Sequence, residues 1–370
     1  MKSICRTLAS FVALASIACA SLATAADDAA VYQQTVSKAV TYLTTKAQAA
    51  DGSYNSAAGP AVTALVTASL LKHGRTVDDP AVAKALKYLQ QFVQEDGGIY
   101  APESNHKNYE TCLGVVCFAA ANKDGRFDTI VKKADAFVKG LQWDDKEGKT
   151  AADPEFGGAG YGKNKRPDLS NTSFLLDALK ATGTDPNSEE MKRALIFVSR
   201  CQNLESEHNT TPYAAKNPDG GFYYSPAAGG VSQAGTTETG ALRSYASMTY
   251  AGLKSMIYAG VGPDDVRVKA AIGWLKKNYD LDSNPGMGTS GLFYYYQTFA
   301  KALEATGNDT FVDEKGVEHN WRSELIAELA SRQAEDGSFV NADPRWMEGD
   351  ASLVTGYALL ALAHSKPATK

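Results

Sequence analysis

The chain has 370 residues, with 37 Lys and Arg against 42 Asp and Glu and a formal net charge of −5. That mildly acidic balance offers no basic stripe, so nucleic acid is not expected as a partner. Length alone would suggest two domains, and no stretch beyond the N-terminal region is apolar for long enough to span a bilayer.

In chain order, residues 1–25 combine Lys2 and Arg6, an apolar run from Leu8 to Leu22, and Ala23-Thr24-Ala25 before Ala26. This is the pattern of a secretory signal peptide, which predicts a secreted or periplasmic protein starting near Ala26. The competing reading is a lipoprotein signal ending at Cys19, but Ser16-Ile17-Ala18 before it lacks the usual leucine. Cleavage would leave Cys112, Cys117 and Cys201. Cys112 and Cys117 stand about 140° apart on a helix and should not bridge each other, so any disulfide would involve Cys201.

From there glycine turns recur: "DGSY" at 51, "DGGIY" at 96, "FGGAGYG" at 156, "DGGFYY" at 219, "NPGMG" at 284 and "DGSF" at 336. An apolar helix follows each, as in "TALVTASLLKHG" or "ASLVTGYALLALA", and an amphipathic one precedes it. In "DDPAVAKALKYLQQF" Asp79 is expected to cap, Pro80 to take the first helical position, and Val82, Leu86, Leu89 and Val93 to form the buried stripe. Similar helices are predicted to begin near Ala29, Phe127, Pro186, Pro263 and Asn320. Alternating amphipathic and wholly apolar helices predict an all-α (α/α)6 toroid, a double ring of six inner and six outer helices, as one domain over residues 26–366.

The glutamine before the glycine turns, in "QAADGSY", "QEDGGIY" and "QAEDGSF", resembles the repeat shared by squalene cyclases and the β-subunits of protein prenyltransferases. The resemblance covers essentially all of residues 26–366. It implies the same toroid, with a central cavity at whose rim the inner helices begin.

Class II terpenoid cyclases carry an Asp-x-Asp-Asp-Thr motif there, whose second Asp protonates the substrate. In "PDLSNTSFLLDAL" Asp168 matches the first acid and Thr172 the threonine, while Ser170 and Asn171 replace the inner carboxylates. A serine cannot protonate an alkene, so this stretch keeps a helix cap and has lost the acid. The same register in "EGDASLVTGYALLAL" puts Glu348 on the first acid and Asp350 on the protonating one. Two carboxylates sharing a proton at the rim would raise one pKa enough for acid catalysis, which makes Asp350 and Glu348 the catalytic candidates. The competing reading of Asp350 is a helix N-cap.

Prenyltransferases need zinc held by Asp, Cys and His, the His in a Tyr-His-Thr turn. Gln297 stands at that place in "YYYQT" and Glu110 in "NYETC", so neither a metal nor another cofactor is expected. "DLDSNPG" spaces Asp280, Asp282 and Asn284 like a calcium loop, but Pro285 and Gly291 occupy its glycine and glutamate places. "GGAGYG" follows no strand and reads as a turn. The five histidines show no catalytic spacing and read as surface residues.

Aromatic and polar residues gather at the turns leading into inner helices. Tyr109, Glu110, Tyr161, Asp168, Asn171, Glu238, Tyr294, Tyr295 and Trp346 are the expected substrate-binding residues. Two classes of function remain. One is an exported cyclase-like or lyase-like enzyme acting on a hydrophobic or polymeric substrate. The other is a non-catalytic toroid binding a hydrophobic ligand, a polysaccharide or a protein partner.

Overall fold

The computed structural model describes residues 28–163 and 165–367, so the signal peptide expected at 1–25 lies outside the described residues. Helix α1 spans 28–42 and runs into a π-helical turn, Leu43–Ala47. It is followed by α2 (Ala61–Lys72), α3 (Pro80–Gln90), α4 (Lys107–Ala121), α5 (Asp128–Lys139), α6 (Leu169–Ala181) and α7 (Glu189–Arg200). Then come α8 (Ala246–Tyr258), α9 (Val266–Lys277), α10 (Leu292–Thr306), α11 (Trp321–Arg332) and α12 (Ala351–His364). The described residues are mainly helical. One short hairpin, β1 (Phe311–Val312) and β2 (Glu318–His319), joins α10 to α11 with Phe311 opposite His319.

The even-numbered helices are buried on every side. In α2 each residue from Ala61 to Leu70 is buried, and in α12 each from Ser352 to Leu362. The odd-numbered ones bury a single stripe, as α3 does with Val82, Ala85, Leu86, Tyr88 and Leu89. Two details differ from the sequence expectation. Helix α3 ends at Gln90, so Val93 falls in the following turn and bridges to Ile99. Asp79 stands at the N-cap position, but its carboxylate turns back to accept the Thr76 N–H at 2.6 Å.

Contacts between inner helices run from α2 to α4, α6, α8, α10 and α12, and return from α12 to α2. Two repeated clamps position them. The glutamine after an outer helix donates to the carbonyl of its glycine turn and to a carbonyl in the next outer helix: Gln48 to Gly52 and Ala81, Gln142 to Gly157 and Glu190, Gln202 to Gly220 and Arg267. Gln333, after α11, donates to Gly337 and to Thr35 of α1, tying the last repeat to the first. Gln94 departs from the pattern and bonds Phe92 and Tyr100 locally.

The second clamp is a threonine on the inner helix. The hydroxyls of Thr63, Thr111, Thr172, Thr249 and Thr355 accept the N–H of Tyr54, Ile99, Ala159, Phe222 and Phe339 at 3.0–3.1 Å. Each bond fixes the strand-like residue after a glycine turn to the first or second turn of the helix it leads into. The first turns of these five helices and of α10 meet around one cavity.

Candidate functional site

Those starting turns enclose a cavity of about 710 Å³, within the range typical of small-molecule sites. Every inner helix contributes a side chain: Val62 from α2, Tyr109 and Glu110 from α4, Asn171 and Phe174 from α6, Met248 from α8, Tyr294 from α10, and Leu353 and Tyr357 from α12. Four rings form a continuous floor. Tyr109 meets Phe174 edge-on at 4.9 Å, Phe174 meets Tyr294 at 6.1 Å, and Tyr294 meets Tyr357 edge-on at 6.1 Å. The Tyr357 and Tyr109 hydroxyls close the circuit at 3.3 Å. Burial pushes the Tyr109 phenol up to about 12, so these hydroxyls stay protonated at neutral pH.

At the mouth, His106 lies edge-on to Tyr161 at 4.8 Å. Opposite, Trp346 and Met347 both adopt left-handed backbone angles, φ +55° and +66°, and both are 45% exposed. Arg345 lies over the Trp346 ring and donates to Gln233 across the opening at 2.9 Å.

Of the residues expected at a site, Tyr109, Glu110, Tyr161, Asn171, Tyr294, Trp346 and Glu348 line the cavity. Tyr295 does not. Consecutive helical residues point about 100° apart, so with Tyr294 facing inward Tyr295 turns between α8 and α10, where it packs on Tyr250 and donates to the Asp280 carbonyl. Glu238 sits exposed in the turn of 236–242, outside the lining.

The expected pair of acids is not formed. Asp350 caps α12, accepting the Leu353 N–H at 2.7 Å, and takes the Asn55 amide at 2.7 Å. Glu348 points the other way for a reason in α10, whose N-cap is Gly291 at φ +66° and has no side chain to satisfy the first N–H groups. Glu348 does so instead, accepting from Phe293 and Tyr294 N–H at 3.2 and 2.8 Å and from the Asn341 amide at 2.7 Å. Burial raises its pKa, opposed by these bonds.

Asp168 is the N-cap of α6. One carboxylate oxygen accepts the Asn171 N–H and the other the Asn171 side-chain amide, each at 2.8 Å. Burial raises its pKa to about 6 despite those bonds, with Tyr224 and Arg166 nearby. Glu110 accepts from Ala101 N–H at 2.9 Å and from the Ser104 hydroxyl at 2.5 Å, and burial raises its pKa too.

Phe174 also borders a small void of about 20 Å³ beneath the floor, which Gln297 helps to line. Beside that void Asp177 of α6 is held between Lys254 of α8 at 2.5 Å and Lys301 of α10 at 2.8 Å. Burial alone would raise the Asp177 carboxyl, but the two ammonium groups hold it well below the usual range. Burial draws Lys254 down to about 8. Sequence reasoning missed this cluster, and it missed Phe174 and Tyr357. The available signal was a charge within the apolar run of each of three helices, Asp177, Lys254 and Lys301.

Other expectations are corrected or relocated. Cys112, Cys117 and Cys201 are buried and free, so among the described residues no disulfide involves Cys201, and burial pushes all three thiols up. The surface reading fails for His73, His319 and His364, which are half-buried. His73 bonds the Leu359 carbonyl and is drawn down by burial to about 4, His319 stacks on Tyr279 at 4.0 Å, and His364 bonds Glu304. In "DLDSNPG", Asp280 accepts the Asp282 N–H and the Ser283 hydroxyl, and Asn284 accepts the Ser247 N–H.

Residues 56–225 match the family model described as the squalene-hopene cyclase C-terminal domain. Among solved structures, the chain is similar to a variant of the type II terpene cyclase MstE from Scytonema in complex with its substrate geranylgeranyl dihydroxybenzoate. That likeness has 12% identity and a TM-score of 0.36, over 92% of this chain and 99% of that one. The ligand-free MstE gives 13% identity and a TM-score of 0.34, over 91% and 99%. No curated protein matches the sequence significantly.

Proposed function

We propose, taking as premise that residues 56–225 carry the squalene-hopene cyclase C-terminal domain, that the chain is an (α/α)6 toroid whose cavity binds an apolar ligand of isoprenoid type without protonating it. The toroid reading is supported by the return of inner-helix contacts from α12 to α2 and by the Gln333 clamp onto α1.

One observation carries the binding reading: each carboxylate that the cyclase register offers as an acid is spent on backbone N–H groups. Asp168 serves α6, Glu348 serves α10 and Asp350 serves α12. The N–H groups aimed at Asp168 and Glu348 favour the carboxylate form and so oppose service as proton donors. What remains is a tyrosine-rich floor that buries a hydrocarbon chain and has no free acid positioned by the motif above it.

Glu110 favours a second reading. It lines the cavity, burial raises its pKa, and its two hydrogen bonds leave lone pairs on the carboxyl, so it is the residue to act as a general acid if the chain is an enzyme. The proposal also places the protein outside the cytoplasm, on the strength of the residue 1–25 pattern. N-terminal sequencing of the exported form tests that part.

The deciding experiment extracts purified protein with organic solvent, identifies bound molecules by mass spectrometry, and then incubates the protein with squalene and with polyprenyl alcohols. An apolar ligand recovered unchanged is expected. Cyclic products that disappear in Glu110→Gln would replace the binding reading with the enzymatic one. An empty extract with neither uptake nor turnover would sink both.

A further inference from the structure

Asn171 is almost fully buried, at 1% exposure, yet it lines the cavity and its side-chain oxygen has no hydrogen-bond partner among the described residues. The orientation of its amide is fixed by chemistry. The nitrogen donates to the Asp168 carboxylate at 2.8 Å, and a reversed amide would set oxygen against carboxylate oxygen. The oxygen is therefore the atom left over, an acceptor with its partner missing. Such a group is costly when buried unsatisfied, a cost that a ligand donor would recover.

The charges around it narrow the choice of donor. The lining includes Glu103, Glu110 and Glu348 and contains neither lysine nor arginine. Helix starts ordinarily attract anions, but those of α6, α10 and α12 already hold carboxylates. A phosphate or carboxylate head would meet these acidic residues directly, whereas the nearby cations Arg345 and Arg166 lie outside the lining, over the rings of Trp346 and Tyr224.

We propose that Asn171 is the head-group subsite of the cavity, and that the ligand is an apolar chain ending in a hydrogen-bond donor, a hydroxyl rather than a diphosphate. The chain lies on the floor of Tyr109, Phe174, Tyr294 and Tyr357, and the hydroxyl donates to the Asn171 oxygen. This rests on the reading of the cavity as an apolar-ligand site.

The test compares farnesol, farnesyl methyl ether and farnesyl diphosphate on the full chain, by quenching of intrinsic fluorescence. The ether keeps the oxygen as acceptor and loses the donor, and the diphosphate adds charge. Farnesol is expected to bind about tenfold more tightly than either, the effect of one hydrogen bond to a buried partner. Equal affinity for alcohol and ether, or tighter diphosphate, overturns the head-group assignment while leaving the apolar cavity standing. Failure of all three to bind overturns the cavity reading and this one with it. In Asn171→Leu, farnesol should weaken to the level of the ether while the ether is unchanged. An equal fall for both would mean that the residue acts only through the Asp168 cap, and the assignment fails. The comparison on the unsubstituted chain stands whether or not that variant folds.

Discussion

Asp168 keeps a carboxyl group almost wholly out of water, and its pKa rises from 3.8 to about 6 because burial outweighs the two bonds from Asn171. The native state thus binds this proton more readily than the unfolded chain. The stability it contributes is complete below pH 3.8 and is lost as pH rises through about 6. Two units correspond to a ceiling of roughly 3 kcal/mol. Asparagine is an equally good N-cap, so Asp168→Asn should keep α6 and abolish this slope. Urea midpoints at both ends of that window should show the native chain losing stability relative to the variant as pH rises, and parallel curves would refute it. The role of Thr172 illustrates what the sequence conceals at this scale. The cyclase register made it part of a motif, whereas the same bond made by Thr63, Thr111, Thr249 and Thr355 makes it part of the repeat. The distance from glycine turn to threonine varies between repeats, which hides the recurrence.

At the scale of elements, the glycine turns were legible because their chemistry is local. Gly157 has φ +83°, and a Cβ there would lie 1.8 Å from the Arg193 carbonyl oxygen of α7. Gly157→Ala should therefore cost about 3 kcal/mol or more, combining a left-handed backbone with a forced separation of turn and helix. Gly183→Ala, also at positive φ but with nothing within 4 Å, should cost only the backbone part, about 1 kcal/mol. Equal losses in the two variants, by chemical denaturation, would show that the turn does not need this close approach. Helix identity was readable from periodicity, whereas the direction of individual side chains was not. Tyr294 and Tyr295 look alike in sequence, yet only the first reaches the cavity. Asp177, Lys254 and Lys301 were passed over because their helices are apolar on average, and only the packing of α6, α8 and α10 shows that three separate charges meet.

For the whole molecule, the proposed toroid makes Gln333 equivalent to Gln142, although one joins the ends of the sequence and the other joins neighbours within it. Replacing either with alanine strands two carbonyl groups and should cost about 1–3 kcal/mol. Both variants are expected to shift the denaturation midpoint by similar amounts and to keep a single transition. A neutral Gln333→Ala beside a costly Gln142→Ala would favour an open superhelix. The repeat pattern carried this architecture because each unit restates the same solution. The cavity was only half readable, since its acids were identified by position while their use depended on which helix start lacked a cap of its own.

Phe174 separates the large chamber from the void below, and the ion cluster of Asp177, Lys254 and Lys301 sits beyond it. Among the described residues the chamber is therefore closed on that side, and the exposed Trp346 marks its mouth. A ligand of the proposed kind would go in tail first and come out by the way it came. On that reading a newcomer could not push an occupant onward and would wait for it to leave, so exchange would be paced by departure, a behaviour suited to holding cargo longer than passing it along.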